Sequence, residues 1–345
     1  MPPELMPAAV YVGDGRITVQ NLPVPVPGPD EVLIEVAQCG ICGSDMHLVL
    51  EGYARAGTVL GHEWAGTVVA AGAAVSGWEA GARVVSNPTA GCGTCRPCRR
   101  GRPSVCLSRE APDYLSFGGA FCRYLAVRAE QLLRLPDTLS TRAAALTEPT
   151  AIAVHTVNLS QVTSDDRVLV TGAGPVGLLA VAVLLARGVT DITVSEPSAA
   201  RRARAAALGA AAVIAPDQFP VPQLGRPVDA PFAVAFECSG HASAAEAALD
   251  QLDFAGTLVL VGTGRDLPRI NHNRMIVLEL TIVGAYNYDA DGFRPALDLL
   301  ASGLLPTDLL IEPDDVPLSG VGEAMQRLAH GEIAGKVLVR PQATS

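Results

Sequence analysis

Arg167-Val-Leu-Val-Thr-Gly-Ala-Gly-Pro-Val-Gly177 reads as a short apolar strand entering a glycine turn, and Val176 to Ala186 continues as a helical run. Gly172, Gly174 and Gly177 match G-x-G-x-x-G, a pattern that gains meaning only after a strand and at the opening of a helix, as here. Gly172 suits the tight turn, Gly174 lets main chain approach a pyrophosphate, and Gly177 permits close helix–strand packing. The helix N-terminus would offer N–H groups and partial positive charge to the phosphates. Val168 to Ala186 carries no charge and is long enough to span a membrane. Its Gly and Pro interruptions suit a strand, a turn and a buried helix better.

The same alternation continues downstream. Asp191–Ser195 reads as a strand, Ala199–Leu208 as a helix and Ala212-Val-Ile-Ala as a strand. Strand Val234-Ala-Phe-Glu, helix Ser243–Leu252, strand Thr257–Val261, strand Leu280–Gly284 and helix Gly292–Ala301 come next, then helix Val321–His330 and strand Lys336–Arg340. Such alternation implies parallel βαβ units and an α/β doubly wound sheet. Glu196 closes the second strand, where a carboxylate accepts from both ribose hydroxyls and repels a 2′-phosphate, so NAD is favoured over NADP. Arg201, with Arg202, stands close enough in sequence to weigh the other way. The candidate coenzyme residues are Gly172, Gly174, Pro175, Val176, Gly177, Glu196 and Arg201, with Val261, Gly262, Thr263, Tyr286 and Asn287 further along. Residues 1–150 differ: Glu31-Val-Leu-Ile-Glu-Val and Gly66-Thr-Val-Val-Ala-Ala are β-rich, and Pro/Gly runs punctuate them.

At 345 residues the chain is expected to form two domains. Hydrophobic content of 49% against 17% charged excludes a disordered chain. A net charge of −10 disfavours nucleic acid or an anionic membrane as partner, since both need a basic face. The start Met-Pro-Pro-Glu-Leu lacks a basic stretch and an apolar core, so the cytoplasm is the expected compartment and the eight cysteines are expected to be thiols or metal ligands.

Those cysteines carry the second signal. Cys92, Cys95, Cys98 and Cys106 place four thiolates on one loop, a set that can close a tetrahedral structural Zn²⁺. The adjacent Arg96, Arg99, Arg100 and Arg102 read as a solvated face. A second, mixed set is spread along the chain: Gly40-Ile-Cys42-Gly-Ser44-Asp45-Met-His47, Gly61-His62-Glu63 and Glu148-Pro149. One thiolate, one imidazole and one carboxylate make an open Zn²⁺ site with room for substrate. Cys39, Cys122 and Cys238 lack metal-type spacing or context and are assigned to packing. His155, His241, His272 and His330 carry no motif.

These motifs, with Phe236-Glu-Cys-Ser-Gly, occur in the order found in the zinc-containing medium-chain alcohol and polyol dehydrogenases, and the chain resembles that family from about residue 31 to 340. The resemblance implies a GroES-like β-rich catalytic domain over 1–150 with a zinc lobe at about 88–110. It implies a Rossmann coenzyme domain over 151–290 and a return to the catalytic domain over 291–345. It implies that Cys42 and His62 ligate catalytic zinc, with Glu63 or Glu148 as third ligand, and that Asp45 orients the zinc histidine. Two zinc ions, NAD and a small-molecule alcohol or ketone are the expected partners, in a homodimer or homotetramer with Leu280–Ala285 as the pairing edge. The reaction so implied is reversible oxidation of a secondary alcohol or polyol to a ketone, with the hydroxyl proton leaving through Ser44 and His47. Polyol dehydrogenases carry an aromatic residue just past the first motif and an Arg-Tyr pair after the last coenzyme strand. Leu48 and Asn287-Tyr288 stand there instead, which favours a less polar, cyclic or amino-substituted substrate over sorbitol. An amino-alcohol or aldehyde-handling dehydrogenase is the alternative within the fold, and a non-catalytic zinc-stabilised nucleotide binder the alternative outside it.

Overall fold

The computed structural model describes residues 2–88, 91–108, 118–223, 225–290 and 292–343. The chain divides into two compact units, one of Met1–Glu148, Ala296–Ser302 and Ile311–Ser345, the other of Pro149–Pro295 and Gly303–Leu310. Thr89, Ala90 and residues 109–110, within the expected zinc lobe, lie outside the described residues.

The first unit begins with an antiparallel hairpin, β1 (Leu5–Gly13) and β2 (Arg16–Pro23). A second antiparallel sheet is built on β3 (Glu31–Gly40), with β4 (Glu63–Ala71), β5 (Arg83–Ser86), β6 (Tyr124–Arg128) and β7 (Leu132–Arg134). β4, β5 and β7 continue from one edge of β3; its other edge takes β6 along Glu31–Glu35 and the short strand Leu338–Val339 at Cys39 and Gly40. Val32, Ile34 and Val36 alternate along β3 and are fully buried, as period-two side-chain placement requires. Their cluster is completed by Val321, Met325 and Leu328 of the helix Val321–Ala329, whose spacing puts one apolar stripe inward.

The register of β3 assembles one corner of this unit. At the end of β3, Gly40 pairs with Glu63 on one side and with Leu338 on the other. Three stretches far apart in sequence therefore meet at one point: Gly40–Cys42, His62–Glu63 and the segment ending in Lys336–Leu338.

The second unit is a parallel six-stranded sheet: β8 (Val168–Thr171), β9 (Ile192–Ser195), β10 (Ala212–Ile214), β11 (Phe232–Glu237), β12 (Leu252–Leu260) and β13 (Thr281–Gly284). Their order is β10-β9-β8-β11-β12-β13, every pair parallel. The α/β doubly wound expectation is met. The uncharged stretch resolves into β8 and the buried helix Pro175–Ala186. Among the described residues no helix is long and apolar enough to cross a membrane. The helix Ala199–Leu208 has the bounds its sequence suggests, because Ser198 caps its first turn and Gly209, at φ 117°, ends it.

Other elements depart from the sequence reading. The helix expected to reach Leu252 stops at Asp250, and Leu252 instead opens β12, fully buried opposite Phe232. The pairing then shifts to Val234–Thr257, with Ala255 at φ 55° in the break. The sequence reading lacks the helix His272–Leu278, capped by the Asn271 side chain, the helix Gly43–Leu50 within the region read as strand and loop, and the helix Thr147–Ser160, which starts at that region's end.

Candidate active site

Cys42 is the N-cap of the helix Gly43–Leu50. Asp45, three residues on, reaches back so that its Oδ2 accepts from Cys42 N at 3.0 Å, while Oδ1 accepts from Gly61 N at 3.3 Å. A helix start thus fixes the thiol's segment and a long-range bond draws the Gly61-His62-Glu63 turn onto it. Asp45 is wholly buried, and its Oδ1 lies 3.6 Å from His62 Nδ1. That contact takes the Nδ1 side of the ring and leaves Nε2 for a ligand. Burial works against a charge on His62, but Asp45 and Cys42 outweigh it and hold the imidazole well above its ordinary range. This proton is the one a metal must displace.

Cys42, His62 and Glu63 each offer a ligand atom, and these atoms lie within 4.8 Å of one another. Glu63 is 1% exposed. Its Oε1 accepts from Lys336 Nζ at 2.7 Å, while Oε2 is buried with no hydrogen-bond partner among the described residues. Gly40 makes room for that oxygen, since a Cβ there would fall 2.2 Å from Oε2. A thiolate, an imidazole and an orphaned carboxylate oxygen fit Zn²⁺. Glu148 is buried at the start of the helix Thr147–Ser160 and stands outside this set. Burial pushes its carboxyl up to about 7, with Glu63 adding to the rise and His62 and Lys336 opposing it.

Lys336 is the residue that motif reading missed. It is 2% exposed, and its ammonium donates to Glu63 and, at 3.0 Å, to Ile41 O. Burial opposes its charge, yet Glu63 and Cys42 hold it above the ordinary lysine range. A signal was available: Lys336 is the chain's single lysine, every other Lys/Arg position being arginine, and it opens an apolar run.

On the same helix as Cys42, Ser44 Oγ is buried with no hydrogen-bond partner among the described residues. His47 is half-exposed and its Nδ1 lies 2.7 Å from Glu51 Oε1. Leu48 packs against the unit's core. Cys39 is sealed in β3, and burial raises its thiol well above the ordinary range; Cys122 rises to about 12 for the same reason. Both are inert. Farther along the unit, the sulfurs of Cys92, Cys95, Cys98 and Cys106 lie within 4.8 Å of one another, with Cys95 and Cys106 Sγ at 3.8 Å. Four Zn–S bonds of about 2.3 Å in a tetrahedron demand nearly that spacing. Main-chain N–H groups of Cys95, Leu107 and Cys92 point at sulfurs of the set, as bound thiolates require.

In the second unit Gly172 adopts φ 90° and Gly177 has no room for a side chain, a Cβ there falling 1.9 Å from Gly172 O. Gly174 caps the helix Pro175–Ala186 and has open space beside it. Pro175 and Val176 form that helix's first turn. Glu196 is buried and already accepts two main-chain bonds, from Ala173 N to Oε2 and from Ser198 N to Oε1, each 2.8 Å. A carboxylate has about four acceptor positions, so two remain for a ribose. Arg201 sits in the first turn of the next helix and Arg202 binds main-chain carbonyls of Glu196 and Pro197. Val261 and Gly262 both donate to Glu237 O, ahead of Thr263. Tyr286 is exposed, Asn287 takes φ 51°, and Tyr288 is buried against Phe293.

Residues 28–137 match the alcohol dehydrogenase GroES-like domain and residues 175–302 the zinc-binding dehydrogenase domain. Sorbitol dehydrogenase of Bacillus subtilis (strain 168) is 33% identical over 355 residues, 98% of each chain. The chain belongs to the zinc-containing medium-chain alcohol and polyol dehydrogenases. Among solved structures, this dehydrogenase resembles a zinc-binding dehydrogenase from Sinorhizobium meliloti 1021 bound to NADP (TM-score 0.86, 30% identity, 98% and 100% of the two chains covered). It also resembles 2R,3R-butanediol dehydrogenase from Bacillus subtilis (TM-score 0.85, 29% identity, 98% and 100% covered). It is a zinc-dependent, nicotinamide-linked oxidoreductase of CH–OH donors.

A buried charge pair, Lys336–Glu63, stands at the Cys42–His62–Glu63 set, and Lys336→Met would break it. Leaving Glu63 buried and unpaired should cost about 3–5 kcal/mol in a urea titration. Zinc affinity at the Cys42 set should fall about tenfold or more by chelator competition, as for other groups that orient a ligand, while the four-cysteine lobe keeps its metal.

Proposed function

We propose that the enzyme oxidises a secondary alcohol to a ketone, reversibly and with NAD, using Cys42, His62 and Glu63 to hold the catalytic zinc. The observation that carries this reading is the cluster itself: three ligand atoms within 4.8 Å, one of them the orphaned, buried Glu63 Oε2. When bound, zinc polarises the substrate hydroxyl and the nicotinamide accepts hydride. Everything else falls to side chains of this chain. Lys336 fixes Glu63 so that Oε2 faces the cluster, and Asp45 fixes His62. Glu148 is held apart as a neutralisable acid. The Ser44 hydroxyl takes the substrate proton, and His47 delivers it to solvent with its Nδ1 held by Glu51, so Nε2 is the exchanging atom.

The substrate is a secondary alcohol less polar than an open-chain hexitol, or a cyclic or amino-substituted polyol. Leu48 and Asn287-Tyr288 stand in the sequence where polyol dehydrogenases carry an aromatic residue and an Arg-Tyr pair, and this difference favours the less polar substrate. Glu196 favours NAD, because its charge repels a 2′-phosphate. None of the eight cysteines is paired in a disulfide, which suits a cytoplasmic enzyme. The solution form is a homodimer or homotetramer paired through β13, an apolar edge strand bonded, among the described residues of its sheet, only to β12. Ile276 and Val277, on the helix leading into it, are 70% and 54% exposed. An uncovered edge of this kind invites pairing with a second copy.

Cys42→Ser tests the central claim. Zinc should drop from two ions per chain to one, with loss of turnover across a panel of secondary alcohols; two ions and normal turnover would end the proposal. Glu196→Ala should lower the NAD-over-NADP ratio of kcat/KM by about tenfold or more, read from initial rates with each coenzyme. Ile276→Glu combined with Val277→Glu should halve the solution mass measured by light scattering.

A further inference from the structure

Phe236-Glu-Cys-Ser-Gly240 is prominent in the sequence, yet neither the metal chemistry nor the glycine turn uses it. We propose that Glu237 is a positioning residue for the dinucleotide: its carboxylate fixes the Ser239–Gly240 turn that walls the coenzyme crevice opposite the Gly172 turn. The inference rests on the proposed nicotinamide coenzyme.

The crevice is set by the strand order. β9 and β10 lie on one side of β8, and β11, β12 and β13 on the other. The winding reverses between β8 and β11, and in such sheets ligands bind outside the carboxyl ends of the strands at that point. The glycine turn leaves β8, and Cys238–Gly240 leaves β11. The two touch directly: Cys238 N donates to Thr171 O at 2.9 Å, and a Cβ on Gly172 would lie 2.8 Å from Ser239 Cβ.

Glu237 is the last residue of β11 and is 2% exposed. Its Oε1 accepts from Ser239 N at 2.7 Å, Ser239 Oγ at 2.5 Å and Gly240 N at 3.0 Å; Oε2 accepts from Gly240 N at 3.2 Å. Its carbonyl accepts from Val261 N and Gly262 N at 3.0 and 2.9 Å, so the same residue ties the turn after β11 to the turn after β12. Gly240 is pressed against that second turn, where a Cβ would fall 2.1 Å from Thr263 O. Among the described residues no strand partner satisfies the Ser239 and Gly240 amides. Without the carboxylate these donors would need new partners, and the shape they hold is one wall of the crevice. Glu196 does the same on the other side, with its bonds to Ala173 N and Ser198 N.

The test uses the full-length, zinc-loaded protein with Glu237→Gln and Glu237→Ala. NADH binding, read by fluorescence titration, should weaken about tenfold or more in both Glu237 variants. The coenzyme KM should rise in step while kcat at saturating coenzyme stays within about threefold, the signature of lost positioning rather than lost chemistry. Hydrogen exchange in the coenzyme-free protein should speed up for the 238–241 peptide and stay unchanged at the zinc lobe. Folded, zinc-replete Glu237 variants that bind NADH as the unmodified protein does would overturn the inference. Failure of the unmodified protein to bind either nicotinamide dinucleotide would instead sink the coenzyme reading, and this inference with it.

Discussion

The first unit turns on one buried ion pair. Lys336 and Glu63 are both withdrawn from water and meet at 2.7 Å. Burying either charge alone costs several kcal/mol, so each is tolerable only with its partner in place. The pair also closes the unit across almost the whole chain, joining the strand that begins just after His62 to the segment preceding the last strand. Because Lys336 occupies one carboxylate oxygen, the other is left facing a thiol and an imidazole. A structural requirement and the placing of a candidate metal ligand are met by the same two side chains.

Buried carboxylates recur in this protein, and their partners sort them by role. Glu63 is satisfied by an ammonium and keeps one oxygen unspoken for. Glu196 and Glu237 are satisfied by main-chain amides at the carboxyl ends of parallel strands, where turns leave donors without ladder partners. Asp45 accepts from main chain on two segments and also faces His62. Glu148 shows neither kind of bond among the described residues, and burial accordingly raises its carboxyl to about 7. The same chemical group is thus left with an open oxygen, tied to main chain or raised by burial, according to what its surroundings donate.

The two sets of candidate metal ligands differ in the same physical terms. The four-cysteine lobe is local: its sulfurs come from one short stretch, and nearby amides point at them. The Cys42 cluster is non-local and relies on sheet register, since a one-residue slip of β4 against β3 would turn Glu63 to the opposite face. A lobe of the first kind can be read from spacing; a site of the second kind is only as good as the fold around it.

Sequence by itself determined the parallel βα unit, because the strand period, the glycine turn and the Ser198 and Gly209 caps are local signals that agree. It likewise marked the four-thiol lobe and singled out Cys42 and His62 with either Glu63 or Glu148, whose motifs are short. It could not separate Glu63 from Glu148 as partner to those two, because that choice depends on which carboxylate the β3–β4 register brings beside the thiol. It gave Lys336 no role and placed Leu252 in a helix, since one is fixed by a contact spanning most of the chain and the other by a cross-strand pairing with Phe232. Contacts of that range have no period in the sequence. They exist only once the apolar strands have packed and the remaining buried charges must find one another.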